Sequence, residues 1–135
     1  MESDLDTAYA FKVFFGKSIE EAIPKIQGNP IERADEIRFM PPVPFRYYIL
    51  ALRDYLLSEQ SRGDFDAPGC YLRLIEEKLR DEPEKILPVM QHLEDSIERV
   101  AKAQAFYDAD VDIFGDFVEI RARIVTAYEA RCRSR

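Results

Sequence analysis

The chain has 135 residues, of which 47% are hydrophobic and 33% are charged, and its net charge is −7. At this length the expected organisation is a single domain, residues 1–135, built around one hydrophobic core. The longest apolar run, residues 47–52, is much shorter than the ~20 residues of a membrane-spanning helix. Negative net charge also disfavours general attraction to nucleic-acid phosphates. We therefore expect a protein that binds neither membranes nor nucleic acid.

The cysteine content and the first residues of the chain indicate the cellular compartment of the protein. The two cysteines, Cys70 and Cys132, are too few for a disulfide framework, and a role as small hydrophobic residues accounts for them. Residues 1–4 are acidic, whereas a secretory signal would be basic and then apolar. Both observations predict a cytoplasmic protein.

Helical periodicity extends over almost the whole sequence, whereas alternating strand patterns and hairpin-turn dipeptides are absent from it. A first helix is predicted over residues 4–15 and a second, short one over residues 18–28. The first helix has an aromatic stripe at positions i, i+3 and i+4, formed by Phe11, Phe14 and Phe15. The pair Asn29-Pro30 predicts the start of a third helix, which ends before the prolines at positions 41, 42 and 44.

The strongest apolar stripe follows Pro44 and indicates a fourth helix. Its members are Phe45, Tyr48, Ile49, Leu52 and Leu56. After Asp66, a further helix has an apolar face formed by Tyr71, Leu74, Ile75 and Leu79. The two stripes supply most of the predicted core.

The last two predicted helices are the longest. Asp81 and Glu84 have the spacing of a capping box, and a heptad pattern follows from Ile86 to Gln104. The final helix has a similar pattern up to Tyr128, and each of the two is expected to be on the order of 30 Å long. The sequence thus predicts an all-α protein. We expect an irregular bundle of about five to six helices with a long C-terminal antiparallel hairpin, across which the amino-terminal helices pack.

Residues for catalysis or cofactor binding are sparse in this sequence. A single histidine, His92, excludes a two-histidine metal site within one chain. The five glycines do not have the spacing of a dinucleotide- or phosphate-binding loop, and the Glu-x-x-His motif of carboxylate-bridged iron bundles is missing. We expect a protein that is not an enzyme and needs no cofactor.

An acidic stretch between the last two helices has the spacing of a calcium loop. Over residues 108–119, carboxylates occupy places 1, 3, 5, 9 and 12, and the metal-ligand candidates are Asp108, Asp110, Asp112 and Glu119. This stretch resembles an EF-hand loop, which implies binding of calcium or another divalent cation. Place 6, however, is Ile113, a β-branched residue where the loop needs a turn that glycine makes easily.

The alternative interpretation of the acidic stretch is helix capping. In that case the aspartates cap the last helix and interact with its positive dipole end. The two interpretations differ at Ile113, since a helix that has already begun there is incompatible with the calcium loop.

The segment before and within the fourth helix suggests a surface for a partner. Residues 45–50, Phe-Arg-Tyr-Tyr-Ile-Leu, follow a short helix and a proline-containing turn, and they resemble small bacterial domains of unknown function. That resemblance implies no activity. Tyrosine and arginine are enriched at binding hot spots, and four such residues in this region lie off the apolar stripe or beside it: Arg46, Tyr47, Arg53 and Tyr55. Half-buried tyrosines covered by a neighbouring helix are the alternative.

These expectations combine into one functional hypothesis. The sequence favours a non-enzymatic helical module, interacting or regulatory, that binds another protein or itself. Divalent-cation binding at residues 108–119 is the second hypothesis.

Overall fold

The computed structural model describes residues 29–133, so the helices predicted over residues 4–15 and 18–28 lie outside the described range. Within that range all regular structure is helical, with five helices of nine or more residues, which confirms the all-α fold class. None of the described helices is long and apolar enough to cross a bilayer. The elements in chain order are α1 (Pro30–Arg38), α2 (Pro42–Leu56), a 3-10 turn (Glu59–Ser61), α3 (Ala67–Asp81), α4 (Pro83–Ile86), a second 3-10 turn (Leu87–Val89), α5 (Met90–Lys102), α6 (Val111–Phe114) and α7 (Phe117–Arg133).

Prolines define the beginnings of the first helices. Pro30 and Pro42 are the first residues of α1 and α2, and Pro68 is the second residue of α3. The N–H groups of a first helical turn have no acceptor within the helix, so proline loses no hydrogen bond there. Helix α2 begins two residues before Pro44, where its start was predicted, so Pro44 lies in the first turn of the helix.

The predicted long helix after Asp81 is interrupted, and this part of the prediction was wrong. Asp81 is the last residue of α3, and the chain from Pro83 passes through α4 and a 3-10 turn before α5 starts at Met90. The interruption is at Pro88, which has no N–H to donate to the backbone carbonyl of Glu84. The two hairpin helices, with 13 and 17 residues, are therefore about 20 Å and 26 Å long.

One core connects the described helices, and its largest side chains are tyrosines and phenylalanines. Phe45, Tyr55, Tyr71 and Phe117 are all fully buried. The buried hydroxyls have partners: Tyr55 donates to Asp64 at 2.5 Å, Tyr107 donates to the Leu56 carbonyl at 2.7 Å, and Tyr71 lies 2.7 Å from the hydroxyl of Ser96. Burial raises the pKa of Tyr107 to about 12. These bonds let the core contain large phenol rings without unpaired polar groups.

Helix α7 packs against α5 and α3 and completes the predicted antiparallel hairpin. Gln104, just after α5, bonds Phe117 at the start of α7, while Glu98 and Arg121 approach to 3.9 Å further along both helices. Helices α5 and α7 therefore run antiparallel.

Three hydrogen bonds join α7 and its approach to α3 in matching order along the two helices. Arg73 donates to the Phe114 carbonyl at 2.6 Å, Arg123 donates to Glu76 at 2.8 Å, and Arg131 donates to the Leu79 carbonyl at 2.8 Å. Helices α3 and α7 therefore run parallel.

The side-chain amide of Gln104 fixes the turn between α6 and α7. Its Nε2 donates to the Gly115 carbonyl at 2.8 Å, and its Oε1 accepts from the Phe117 N–H at 3.0 Å. Gly115 has φ of 84°, and a Cβ there would lie 2.9 Å from the Arg73 guanidinium. The turn therefore depends on one glycine and one amide side chain, so the start of α7 is set by specific polar contacts.

Replacing Gln104 with methionine keeps the side-chain length but removes both hydrogen bonds. We expect Gln104→Met to lower the free energy of unfolding by about 1–3 kcal/mol, as two neutral bonds of this kind contribute. Urea unfolding followed by circular dichroism measures the change. The matched control is Gln91→Met, at an exposed position of α5, which should change stability little. Equal stability of the two variants would show that the amide does not hold the turn.

Candidate protein-binding groove

The outer half of α7 packs incompletely against α5. The residues of α7 that are buried, Phe117, Ile120 and Ile124, all lie in its first eight positions, and none is buried from Val125 to Arg133, the last residue described. The side chains of the first half fill the space beside α5, whereas those of the second half leave a cavity open. We call this cavity the hairpin groove.

The hairpin groove has a volume of about 390 Å³ and an apolar floor contributed by both helices. This volume is within the usual range of ligand pockets, at its lower end. Its apolar lining residues are Met90, Ile97, Ile124, Val125, Tyr128 and Cys132. Because α5 and α7 run antiparallel, the groove extends along the hairpin toward the end remote from the α6–α7 turn. An elongated apolar groove between two helices is suited to a third helix.

Charged side chains of both signs border the hairpin groove. Glu94 and Glu129 contribute carboxylates, and Arg121 and Arg133 contribute guanidinium groups. Arg121 is 3.9 Å from Glu98, whose pKa is lowered by a hydrogen bond from Lys102 and by the nearby positive charges. A border of mixed sign favours an amphipathic partner with charges of both signs over a polyanion.

Two arginines of α7 are used in contacts with α3. Arg123 pairs with Glu76, while Arg131 donates to the carbonyls of Leu79 and Arg80, each at 2.8 Å. The last carbonyls of α3 have no partner in their own helix, so the Arg131 guanidinium caps them. These contacts attach the outer half of α7 to α3 and leave the side facing α5 open.

Two of the predicted partner-binding residues, Arg46 and Arg53, bind backbone carbonyls of the same chain. Arg46 donates to the carbonyls of Lys85 at 2.8 Å and Glu84 at 2.7 Å, and Arg53 donates to that of His92 at 2.9 Å. The Glu84 carbonyl is the one that Pro88 leaves without a helical donor, so Arg46 compensates for the interruption between α4 and α5. These arginines join α2 to the next elements.

The two predicted tyrosines differ in exposure. Tyr55 is fully buried, with its hydroxyl on Asp64, so its assignment to an exposed partner surface was wrong. It lies on the core side of α2 because it continues the helical spacing of Leu52 and Leu56. Tyr47 is 38% exposed, with its ring edge-on to that of Tyr48. Of the four predicted residues, Tyr47 alone presents a large exposed apolar surface.

The acidic stretch is folded as two helix starts. Asp110 accepts from the Asp112 N–H at 2.8 Å and caps α6, which contains Ile113. Asp116 accepts from the Val118 N–H at 2.9 Å. A helix that has begun at Ile113 is incompatible with the loop conformation of an EF-hand, and the capping interpretation accounts for these bonds.

The metal-ligand candidates do not converge in the described part of the chain. No group of three or more histidine, cysteine or carboxylate side chains there is placed to hold a metal ion. Asp108, with φ of 56°, precedes α6, whereas Glu119 is exposed in the first turn of α7. The structure thus separates residues that the spacing of the sequence had grouped.

Calcium titration followed by backbone amide NMR tests this conclusion. At micromolar calcium we expect no shift of the resonances of residues 108–119, because the carboxylates are separated and the aspartates 110 and 116 already accept backbone N–H bonds. Magnesium serves as the control ion. Saturable shifts confined to these residues with calcium, and not with magnesium, would restore the cation-binding hypothesis.

The two cysteines lie in different surroundings and neither forms a disulfide within the described residues. Cys132 is exposed in the hairpin groove. Cys70 is partly buried on α3, and burial raises the pKa of its thiol to about 11. His92 is exposed on α5.

Comparison with known proteins identified no relatives of this chain. No family model matches the chain, and no match was found among curated proteins or among solved structures. The likeness of residues 45–50 to small bacterial domains stays a prediction.

The hairpin groove was not predicted from the sequence, although the sequence contains part of the pattern that indicates it. Val125, Tyr128 and Cys132 are spaced three and four residues apart and continue the apolar stripe of Ile124. The pattern indicates an apolar helix face. Whether a neighbouring helix covers that face depends on where α5 begins, and therefore on the interruption at Pro88.

Proposed function

We propose that this protein is a non-enzymatic helical interaction or regulatory module, and that its hairpin groove binds an amphipathic helix of a partner protein. The observation that carries the proposal is the open apolar groove between α5 and the outer half of α7. A helix in this groove would add a third member to the hairpin and cover side chains that neither α5 nor α3 reaches. Self-association through the same groove is the alternative.

The physical basis of binding is burial of apolar surface combined with a charged border. Each apolar side chain removed from water contributes favourably in proportion to its area, about 25 cal/mol per Å². Val125 is the central test residue, since it lines the groove without belonging to the fully buried core. Glu94 and Arg121 on opposite helices would orient the partner, because charges at the edge of an interface determine register more than affinity.

A cytoplasmic location belongs to the same proposal. Both cysteines are free thiols, in agreement with a reducing compartment. A partner would then be sought among intracellular proteins.

A charge placed in the hairpin groove should abolish binding. We expect Val125→Glu to weaken the complex by at least about tenfold, because the carboxylate would have to be desolvated against apolar side chains. The matched control is Val118→Glu on the same helix, where the valine is 54% exposed and lies outside the groove. Proteins captured by the tagged wild-type chain, quantified by mass spectrometry, should be retained by the control and lost by Val125→Glu.

Sedimentation of the purified chain distinguishes a partner protein from a second copy of the chain as the occupant of the hairpin groove. Self-association that disappears in Val125→Glu would identify a second copy as the occupant. A wild-type chain that is monomeric and whose captured proteins bind both valine variants equally would contradict the proposed function. Urea unfolding of each variant checks that the fold is retained.

A further inference from the structure

Two segments that are distant in sequence carry exposed apolar side chains and lie against each other. In the loop before α3, Phe65 is 48% exposed, and in α6, Val111 is 51% and Ile113 is 72% exposed. The centre of the Phe65 ring is 5.6 Å from that of Phe114, a residue of α6 that packs partly against the core. We call the surface formed by Phe65, Val111 and Ile113 the α6 patch.

Backbone hydrogen bonds hold both segments of the α6 patch in place. The Gly63 N–H, just before the first segment, donates to the Phe106 carbonyl at 3.0 Å. Asp110 caps the start of α6, and at its end the Gly115 N–H donates to the Val111 carbonyl at 2.9 Å. The exposure of the three apolar side chains therefore follows from the backbone path that these bonds fix.

Aspartates lie next to every apolar residue of the α6 patch in the sequence. Phe65 and Val111 each have an aspartate on both sides, and Ile113 follows one. A further aspartate, Asp108, precedes α6 and approaches the first segment, since a Cβ on Gly63 would lie 3.5 Å from its carboxylate. The five aspartates are Asp64, Asp66, Asp108, Asp110 and Asp112. The apolar patch therefore has a border of negative charge.

This negative charge is not paired inside the molecule. Within residues 29–133, none of the five carboxylates forms an ion pair with a lysine or an arginine. The cations nearest to Phe65 in the sequence have other partners: Arg62 pairs with Glu59, and Arg73 donates to the Phe114 carbonyl at 2.6 Å. The α6 patch thus differs from the hairpin groove, which is bordered by charges of both signs.

Helix capping accounts for part of this arrangement. Asp110 caps α6, and Asp64 accepts from the N–H groups of Asp66 and Ala67 before α3. Capping does not require the apolar side chains beside these aspartates to be exposed. A single exposed apolar residue is ordinary on a protein surface, but a group of large ones that lie together indicates a contact surface.

We propose that the α6 patch binds a basic amphipathic segment of a partner protein. The apolar face of that segment would cover Phe65, Val111 and Ile113, and its lysines or arginines would lie against the unpaired aspartates. Lysine and arginine suit such a border, because their apolar stems extend over apolar surface while their charged ends reach the carboxylates. The same aspartates repel nucleic-acid phosphates and anionic lipid surfaces.

This inference goes beyond the proposed function and concerns a different part of the molecule. No residue of the α6 patch lines the hairpin groove. A border of one sign selects a basic segment, whereas a border of both signs favours a segment with charges of both signs. The two surfaces therefore select different partners, and each can be altered without the other.

A designed peptide tests the chemistry of this surface. It consists of leucine and lysine, is about 14 residues long, and has its leucines at i, i+3, i+4 and i+7 on one helix face. Backbone amide NMR of the full chain at low ionic strength locates the bound peptide. We expect saturable shifts centred on residues 64–66 and 110–113. A peptide with glutamate in place of every lysine should cause none of these shifts.

Removal of one exposed apolar side chain tests the apolar part of the contact. We expect Ile113→Ser to raise the dissociation constant of the leucine–lysine peptide about tenfold, because this side chain would be buried in the complex. The matched control is Val43→Ser on α2, where the valine is also 72% exposed. It should leave the dissociation constant unchanged. Thermal unfolding checks that both variants keep the fold.

Removal of charge tests the aspartate border. We expect Asp108→Asn with Asp112→Asn to weaken peptide binding about fivefold and to reduce its dependence on salt. Both aspartates are exposed, and neither side chain accepts a hydrogen bond in the described part of the chain. The matched control is Glu84→Gln with Asp95→Asn, which removes two exposed carboxylates elsewhere and should have little effect.

Several outcomes would overturn the proposal. Equal effects of the two serine variants, or of the two pairs of charge variants, would show that the peptide binds without recognising the α6 patch. The absence of saturable shifts up to about millimolar peptide, or shifts centred on Val125, would exclude the patch as the site. The Val125→Glu variant distinguishes this proposal from the proposed function, because it alters the hairpin groove and should leave peptide binding at the α6 patch unchanged.

Discussion

The position of α7 depends on polar contacts at its two ends. At its start, the Gln104 amide binds the Gly115 carbonyl and the Phe117 N–H, and near its end Arg131 binds the carbonyls that terminate α3. Between these attachments the fully buried side chains of the helix lie in its first half, while Ala127 and Tyr128 in its second half are only partly buried against the core. Hydrogen bonds with charged donors fix direction as well as distance. The outer half of α7 is therefore held against α3 without being closed against α5.

This arrangement leaves a groove between α5 and α7, while the core around it is complete. The core is completed by α2, α3 and the first half of α7, where the large aromatic side chains are buried and their hydroxyls are paired. Helix α5 begins only at Met90, after the 3-10 turn at Pro88, so its first turn faces the last turns of α7. The same proline interruption that shortens α5 leaves a backbone carbonyl for Arg46.

The sequence predicted the helical class well because the signals for it are local. Pro30 and the apolar stripes from Phe45 and Tyr71 gave helices close to those observed, although α2 starts at Pro42 and not at the predicted Pro44. The interruption at Pro88 was missed, since a heptad pattern continued through it. A repeating apolar pattern describes which face is buried, whereas helix continuity also requires a backbone donor at every position.

The candidate sites were harder to predict because they depend on contacts distant in sequence. Arg46 and Arg53 had the composition of a binding surface, but their guanidinium groups bind carbonyls 38 or 39 residues away. The acidic stretch had the spacing of a calcium loop, yet its aspartates accept N–H bonds within two residues of themselves. Aspartates can cap a nearby helix, and arginines can bind backbone carbonyls that are distant in sequence. Residue type alone does not distinguish these structural roles from metal or partner binding.

The central claim is that the hairpin groove is a contact surface for another protein chain, and site-specific photocrosslinking tests it most directly. A benzophenone amino acid is placed at position 125 inside the groove and, in a separate chain, at position 118 outside it. After irradiation in the cell, we predict a defined crosslinked protein, a partner or a second copy, from position 125 and none from position 118. Equal adducts from both positions, or none from position 125, would contradict the account.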